Sequence, residues 1–195
     1  MAELDYKQLN LNIRNFKVIK TAALEIAESK LSDSKKNLLQ DFSSHPVTVE
    51  IEAGENSQNS SGTLGGYGNL FSFIGFISGS KPTEVVKNLI NKIRLIRKSY
   101  VKPEKNGVLI KFNVFSPKKS DFEDATPIPW AAGRSWLSGI ERGISGLGYF
   151  ISRGGIGRSE GGEQADNKIR SSSFKNVSYF SKMYSDFFKK LISDK

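Results

Sequence analysis

The chain of 195 residues contains no cysteine. That absence excludes disulfides, thiolate nucleophiles and cysteine-ligated zinc together. Histidine is nearly as scarce. His45 is the only one, so a metal site would have to rely on carboxylates, and a Ser-His-Asp triad on a residue that precedes Pro46 at a turn. No run approaches the roughly 18–20 unbroken apolar residues of a membrane-spanning helix. The opening MAELDYKQLNLN lacks the basic start and apolar stretch of a signal peptide. A reducing, soluble compartment without a membrane partner is the expectation, and the sequons at Asn59 and Asn176 read as chance matches.

Nucleotide and hydrolase fingerprints are missing as well. GGYGN (65–69) and GGIGR (154–158) lack the Gly-Lys-Ser/Thr ending of a phosphate loop. Neither sits in the βαβ setting of a dinucleotide fold. GISGL has Leu147 where a nucleophile elbow needs its last glycine. Glu50 and Glu52 alternate onto one face of an expected strand, on its solvent side, with no apolar pocket to raise a carboxyl pKa. No nucleophile, base or metal set emerges, so the chain reads as a non-enzyme that needs no cofactor.

What the chain does have is phenylalanine, glycine and positive charge: 13 Phe, 18 Gly and a net charge of +9, within an apolar fraction of 37%. That fraction is on the low side for a globular protein. The charge is uneven. Residues 1–50 sum to zero, 51–102 to +4, 103–152 to +1 and 153–195 to +4. Such a balance permits contact with nucleic acid or an acidic protein surface.

Helical spacing of Ile13, Phe16, Ile19, Ala23, Ile26, Ala27, Leu31 and Leu38 predicts one long helix from about Asp5 to Gln40. PVTVEIEAG alternates and predicts a half-buried strand with Val47, Val49 and Ile51 inward. Residues 54–69, nearly all Gly, Ser, Asn and Gln, predict an extended loop. NLFSFIGFISG (69–79) reads as a short strand and turn. Pro82 then opens an amphipathic helix reaching Tyr100, with Lys87, Lys92, Arg94, Arg97 and Lys98 mostly outside its apolar stripe. GVLIKFNVFSP predicts a strand and KKSDFEDA a charged loop. Residues 130–151 hold five glycines among apolar residues spaced as in a helix. Such a segment is too glycine-rich to be a stable helix alone, so it needs a partner surface. Residues 153–166 predict a flexible Gly/Arg arm, and 173–193 an aromatic C-terminal helix. The expected whole is a single α+β domain over 1–195. In it a small antiparallel β-sheet is packed by a long N-terminal helix and further helices, with long extended loops.

At the level of motifs, HPVTVEIEAG, the Ser/Asn/Gly loop, GTLGGYGNLFSFIGF and the proline-started helix follow one another in order. Pro129-Trp130 through Glu141-Arg142-Gly143 and a Ser-Arg-Gly loop come next. This order resembles the small neck and tail-completion proteins of tailed bacteriophages. The extra C-terminal helix and the wide 54–69 loop depart from the shorter members of that family. They leave open whether the chain is a neck ring, a tail terminator or another connector layer. The resemblance implies a virion protein of the neck or tail region, assembled in the host cytoplasm. It implies a closed ring, on the order of six or twelve copies, between portal-side connector proteins and the tail tube, with packaged DNA close by. The 54–69 loop, residues 130–151 and the 153–163 arm are the candidate interfaces. Tyr67, Phe71, Arg134, Trp136, Tyr149, Phe150, Arg153 and Arg158 are the candidate anchors, since Trp, Tyr and Arg dominate interface hot spots. Lys87, Lys92, Arg94, Arg97 and Lys98 would supply electrostatics near DNA. The alternative is a nucleic-acid-binding protein that uses the 87–102 helix and the basic 153–170 arm.

Overall fold

The computed structural model describes residues 17–64, 68–104, 107–142, 150–152, 163–164, 175 and 177–193. It is an α+β arrangement, as the sequence predicts, with a long first helix and antiparallel strand pairs. Helix α1 (Lys17–Ser44) runs past the expected end at Gln40. At 1.5 Å per residue it is about 42 Å long. Leu31, Leu38 and Phe42 enter the core, whereas residues 18–30 are exposed or half-buried.

The expected strand at PVTVEIE is instead helix α2 (Pro46–Glu52). Local chemistry accounts for the difference. His45, extended at φ −64° and ψ 134°, accepts a hydrogen bond from the Val47 N–H through Nδ1 at 3.3 Å, and Pro46 fills the first helical position. Val47 and Ile51 lie four residues apart, so the same pair that fits an alternating strand also fits one helical face. Burial decides between them. Val47, Thr48, Glu50 and Ile51 are buried, while Val49, expected inside, is 48% exposed.

After a 3-10 turn (Gly54–Asn56) and a loop, the expected strand at 69–79 is replaced by helix α3 (Leu70–Ile74). Asn69 caps it by accepting from the Ser72 N–H at 2.8 Å. Gly75 ends it at φ 85°, where the N–H of Phe76 reaches the Phe71 carbonyl at 3.1 Å. That left-handed turn favours glycine. The Trp130 indole leaves no room for more: a Cβ on Gly75 would lie 3.0 Å from its Cδ1.

Helix α4 (Glu84–Asn91) is much shorter than expected. The chain leaves it at Lys92 and becomes strand β1 (Arg94–Glu104), which pairs antiparallel with β2 (Gly107–Phe115). Only β2 was expected as a strand. A strand must satisfy its backbone groups along a ladder, and the β-branched and aromatic run before it supplies the partner. The ladder runs from Arg94 opposite Phe115 to Glu104 opposite Gly107, with an irregularity between Ile96 and Ser99.

KKSDFEDA, expected as a loop, contains helix α5 (Lys119–Asp124), whose Asp121 Oδ2 accepts from the Lys118 N–H at 2.7 Å. Strands β3 (Pro127–Ile128) and β4 (Ala131–Ser135) pair, and helix α6 (Trp136–Arg142) follows. A third pair joins β5 (Phe150–Ser152) to β6 (Glu163–Gln164). The rest of the 153–166 arm lies outside the described residues. Helix α7 (Phe180–Ser193) starts later than the expected 173, and 177–179 are not helical.

The core gathers aromatics from both chain ends. Tyr179 stacks on Phe42 at 5.7 Å and joins the Thr48 hydroxyl at 2.6 Å. Phe180 meets Phe122 at 4.6 Å, and Tyr184 stacks on Phe180 at 5.4 Å. The Tyr184 hydroxyl bonds Ser116 and the Pro117 carbonyl. The C-terminal helix is therefore docked on its own domain.

Candidate interaction surfaces

The 54–69 loop is built around Glu50. This residue, expected on a solvated strand face, is 1% exposed. Its carboxylate accepts from Asn59 Nδ2 at 2.9 and 3.1 Å, from the Ser61 N–H at 2.9 Å and from the Leu70 N–H at 2.8 Å. Asn59 Oδ1 in turn accepts from the Leu64 N–H at 3.0 Å, and the Lys175 N–H reaches the Thr63 carbonyl at 2.9 Å. A buried carboxylate is tolerated where donors surround it like this. The segment expected as an extended loop is thus fastened at several points to helix α2 and to the approach to α7.

The neighbouring Glu52 works at the surface. It accepts from Thr83 Oγ1 at 2.7 Å and pairs with Lys87 Nζ at 2.6 Å, tying α2 to α4. Glu141 holds the start of α7, accepting from the Ser181 N–H at 2.7 Å and from Ser181 Oγ at 2.5 Å. A carboxylate at a helix start also complements the helix dipole.

Of the candidate anchors, Phe71 is 3% and Trp136 1% exposed. Both belong to the core of the monomer, where Trp136 meets Phe76 edge-on at 5.7 Å, so neither can be an exposed anchor. Trp130 is also inward-facing, donating its indole N–H to the Ile74 carbonyl at 2.8 Å. Arg134 is exposed on β4, beside a groove of about 540 Å³ whose walls include Glu123, Ser138 and Arg142. There Arg142 faces Glu123 at 3.7 Å. Phe150 stands on β5 opposite Gln164. Tyr67, Tyr149, Arg153 and Arg158 lie outside the described residues.

The basic residues are redistributed by the shortened helix. Lys87 stays on α4 and is neutralised by Glu52, while Lys92 is exposed at the helix end. Arg94, Arg97 and Lys98 lie on strand β1, not on a helix. A basic 87–102 helix therefore does not exist, and the cations expected on it fall mostly on the β1–β2 ribbon. The missed signal was Asn106-Gly107 between two β-prone runs, a strong hairpin signature.

Burial lowers the His45 pKa below its ordinary 6.5, only partly offset by a hydrogen bond with the Ser178 backbone. Burial likewise raises the hydroxyl pKa of Tyr179 and of Tyr184 above 10.0. His45 and Tyr179 pack on each other at 4.8 Å, and Tyr184 packs on Phe122 and bonds Ser116. Among the described residues no group of three or more His, Cys, Asp or Glu could hold a metal ion, and no helix is long and apolar enough to cross a membrane. Set against known protein families, curated proteins and solved structures, the chain matches none.

Proposed function

We propose that this chain is a non-enzymatic structural subunit that closes into a ring with copies of itself. In this reading it is a neck, connector or tail-completion protein of a tailed-phage virion, seated between portal-side and tail-tube proteins. The observation that supports ring formation is a second apolar face on helix α1. Val18 is 72%, Ile26 70% and Ile19 39% exposed. With Ala22 and Ala23 they form a stripe roughly 140° around the helix from Leu31, Leu38 and Phe42, taking 3.6 residues per turn. A helix that needed only its own core would carry polar residues there. A different apolar patch, formed by Tyr100 (64% exposed), Phe115 (42%) and Ile96 (41%), lies on the ribbon. Two unlike patches suit a head-to-tail contact, the kind that closes rings. The virion assignment comes from the motif order described above.

Quantitative mass spectrometry of purified source particles tests the reading, counting this chain against the major capsid protein. On the order of six or twelve copies per particle is the expected result. Absence from particles discards the connector role.

A further inference from the structure

The β1–β2 ribbon is strongly unbalanced in charge. Its strands hold Arg94, Arg97, Lys98, Lys102 and Lys111 against a single carboxylate, Glu104. Several cations elsewhere are compensated: Lys87 by Glu52, Arg142 by Glu123, Lys189 by Asp186. Among the described residues, none of Arg94, Lys102 and Lys111 has a carboxylate within 4.0 Å.

Register sorts the ribbon into two faces. Leu95 with Val114, Val101 with Ile110, and Phe112 lie on one side; of these, Leu95 and Val114 pack against the core. The other side holds Arg94, Ile96, Tyr100 and Lys102, with Leu109, Lys111, Asn113 and Phe115 opposite. All of these but the half-buried Leu109 are exposed. The Arg94 guanidinium lies 4.9 Å from the Phe115 ring centroid, and Tyr100 pairs across the ladder with Lys111.

We infer that this face binds the phosphate backbone of duplex nucleic acid. At about 3.3 Å per residue the ribbon is on the order of 30 Å long. A two-stranded ribbon fits a major groove about 12 Å wide, where its edges bring cations to both phosphate rims. A single-strand platform would need several free aromatic rings to stack successive bases. Here Phe115 is already covered by Arg94, which leaves Tyr100. The contact is sequence-independent: Asn113, the Tyr100 hydroxyl and the cations on this face can reach base edges, but the charges and their phosphate contacts dominate. The inference is independent of the connector reading, since it stands on the ribbon's charge and shape alone.

Binding of the full-length chain to a fluorescent 20-base-pair duplex, followed by anisotropy from about 50 to 200 mM salt, tests it. With up to three phosphates neutralised by Arg94, Lys102 and Lys111, log K should fall against log salt with a slope of up to about −2.7. The variant K102Q/K111Q should flatten that slope by about 2, each phosphate contact contributing about 0.9. K182Q/K189Q removes the same charge from helix α7 and should leave the slope unchanged. No binding at 50 mM salt, or equal weakening by both variants, overturns the inference. Tighter binding of a single strand that Tyr100→Ser abolishes overturns the duplex assignment. Particle copy number is untouched by any of these results, so the two readings fail separately.

Discussion

From Leu31 onward helix α1 buries Leu31, Leu38 and Phe42, whereas from Val18 to Lys30 the same helix leaves Val18 and Ile26 largely in water. The β1–β2 ribbon repeats the division, with Leu95 and Val114 on the core at one end and an exposed Tyr100 further along. The body between them is closed by aromatic packing and by a buried, fully engaged Glu50. The body therefore carries its own stabilisation, while the two extensions spend apolar surface without return inside the monomer. A free-standing two-stranded ribbon is marginal in water, and a solvated helix with an apolar stripe gains little from that stripe. In the proposed ring, a neighbouring copy would cover these apolar residues.

The contrast can be broken by substitution. The largest effect is expected at Glu50→Ala, which strands the Asn59, Ser61 and Leu70 donors away from water. A loss of about 3 kcal/mol or more should show as a fall in Tm of roughly 10 °C. Next comes a matched pair on one helix. Leu38→Ala, at a site 2% exposed, should cost about 3 kcal/mol in a denaturant titration. Ile26→Ala should change stability by less than about 0.5 kcal/mol yet reduce self-association in light scattering. An equal cost at both positions would mean that the outer half of α1 is packed in the free subunit, and the comparison would fail.

The smallest expected effect is a pH dependence. His45 titrates below 6.5 when folded, so the unfolded chain takes up its proton first. Stability from this group is intact above pH 6.5 and declines as pH falls from there toward the folded pKa. His45→Asn keeps a capping acceptor without a proton to take up. Thermal melts at pH 7.5 and 5.5 should show a larger drop for the native chain than for this variant. The reverse order would show that other groups govern the acid limb.

The α+β class, the long first helix, strand β2 and the aromatic stripe of α7 were legible in the sequence, because each rests on a long periodic pattern. Short elements were not. Val47 and Ile51 satisfy both periods, so only the His45 cap and Pro46 could reveal a helix there. Ile93, Ile96 and Tyr100 likewise mimic a helical stripe, and the Asn106-Gly107 signal had to outweigh them. Glu50 was misplaced for the same reason: a wrong period puts a buried carboxylate on the outside. Core aromatics such as Phe71 and Trp136 have the composition of interface anchors, and only burial separates the two roles.

The bond between Thr48 and Tyr179 joins residues 131 positions apart, and Phe180 and Phe187 complete the same core. During synthesis Phe42 and Thr48 leave the ribosome uncovered, and the Tyr179 that meets Thr48 follows 131 positions later. This core cannot close until the chain has been made past Tyr179. Until then the nascent chain presents a sticky aromatic surface, the condition that favours misassembly and chaperone capture. Interrupting the chain a few residues before Tyr179 would strip the core of its lid, with consequences far beyond the loss of helix α7.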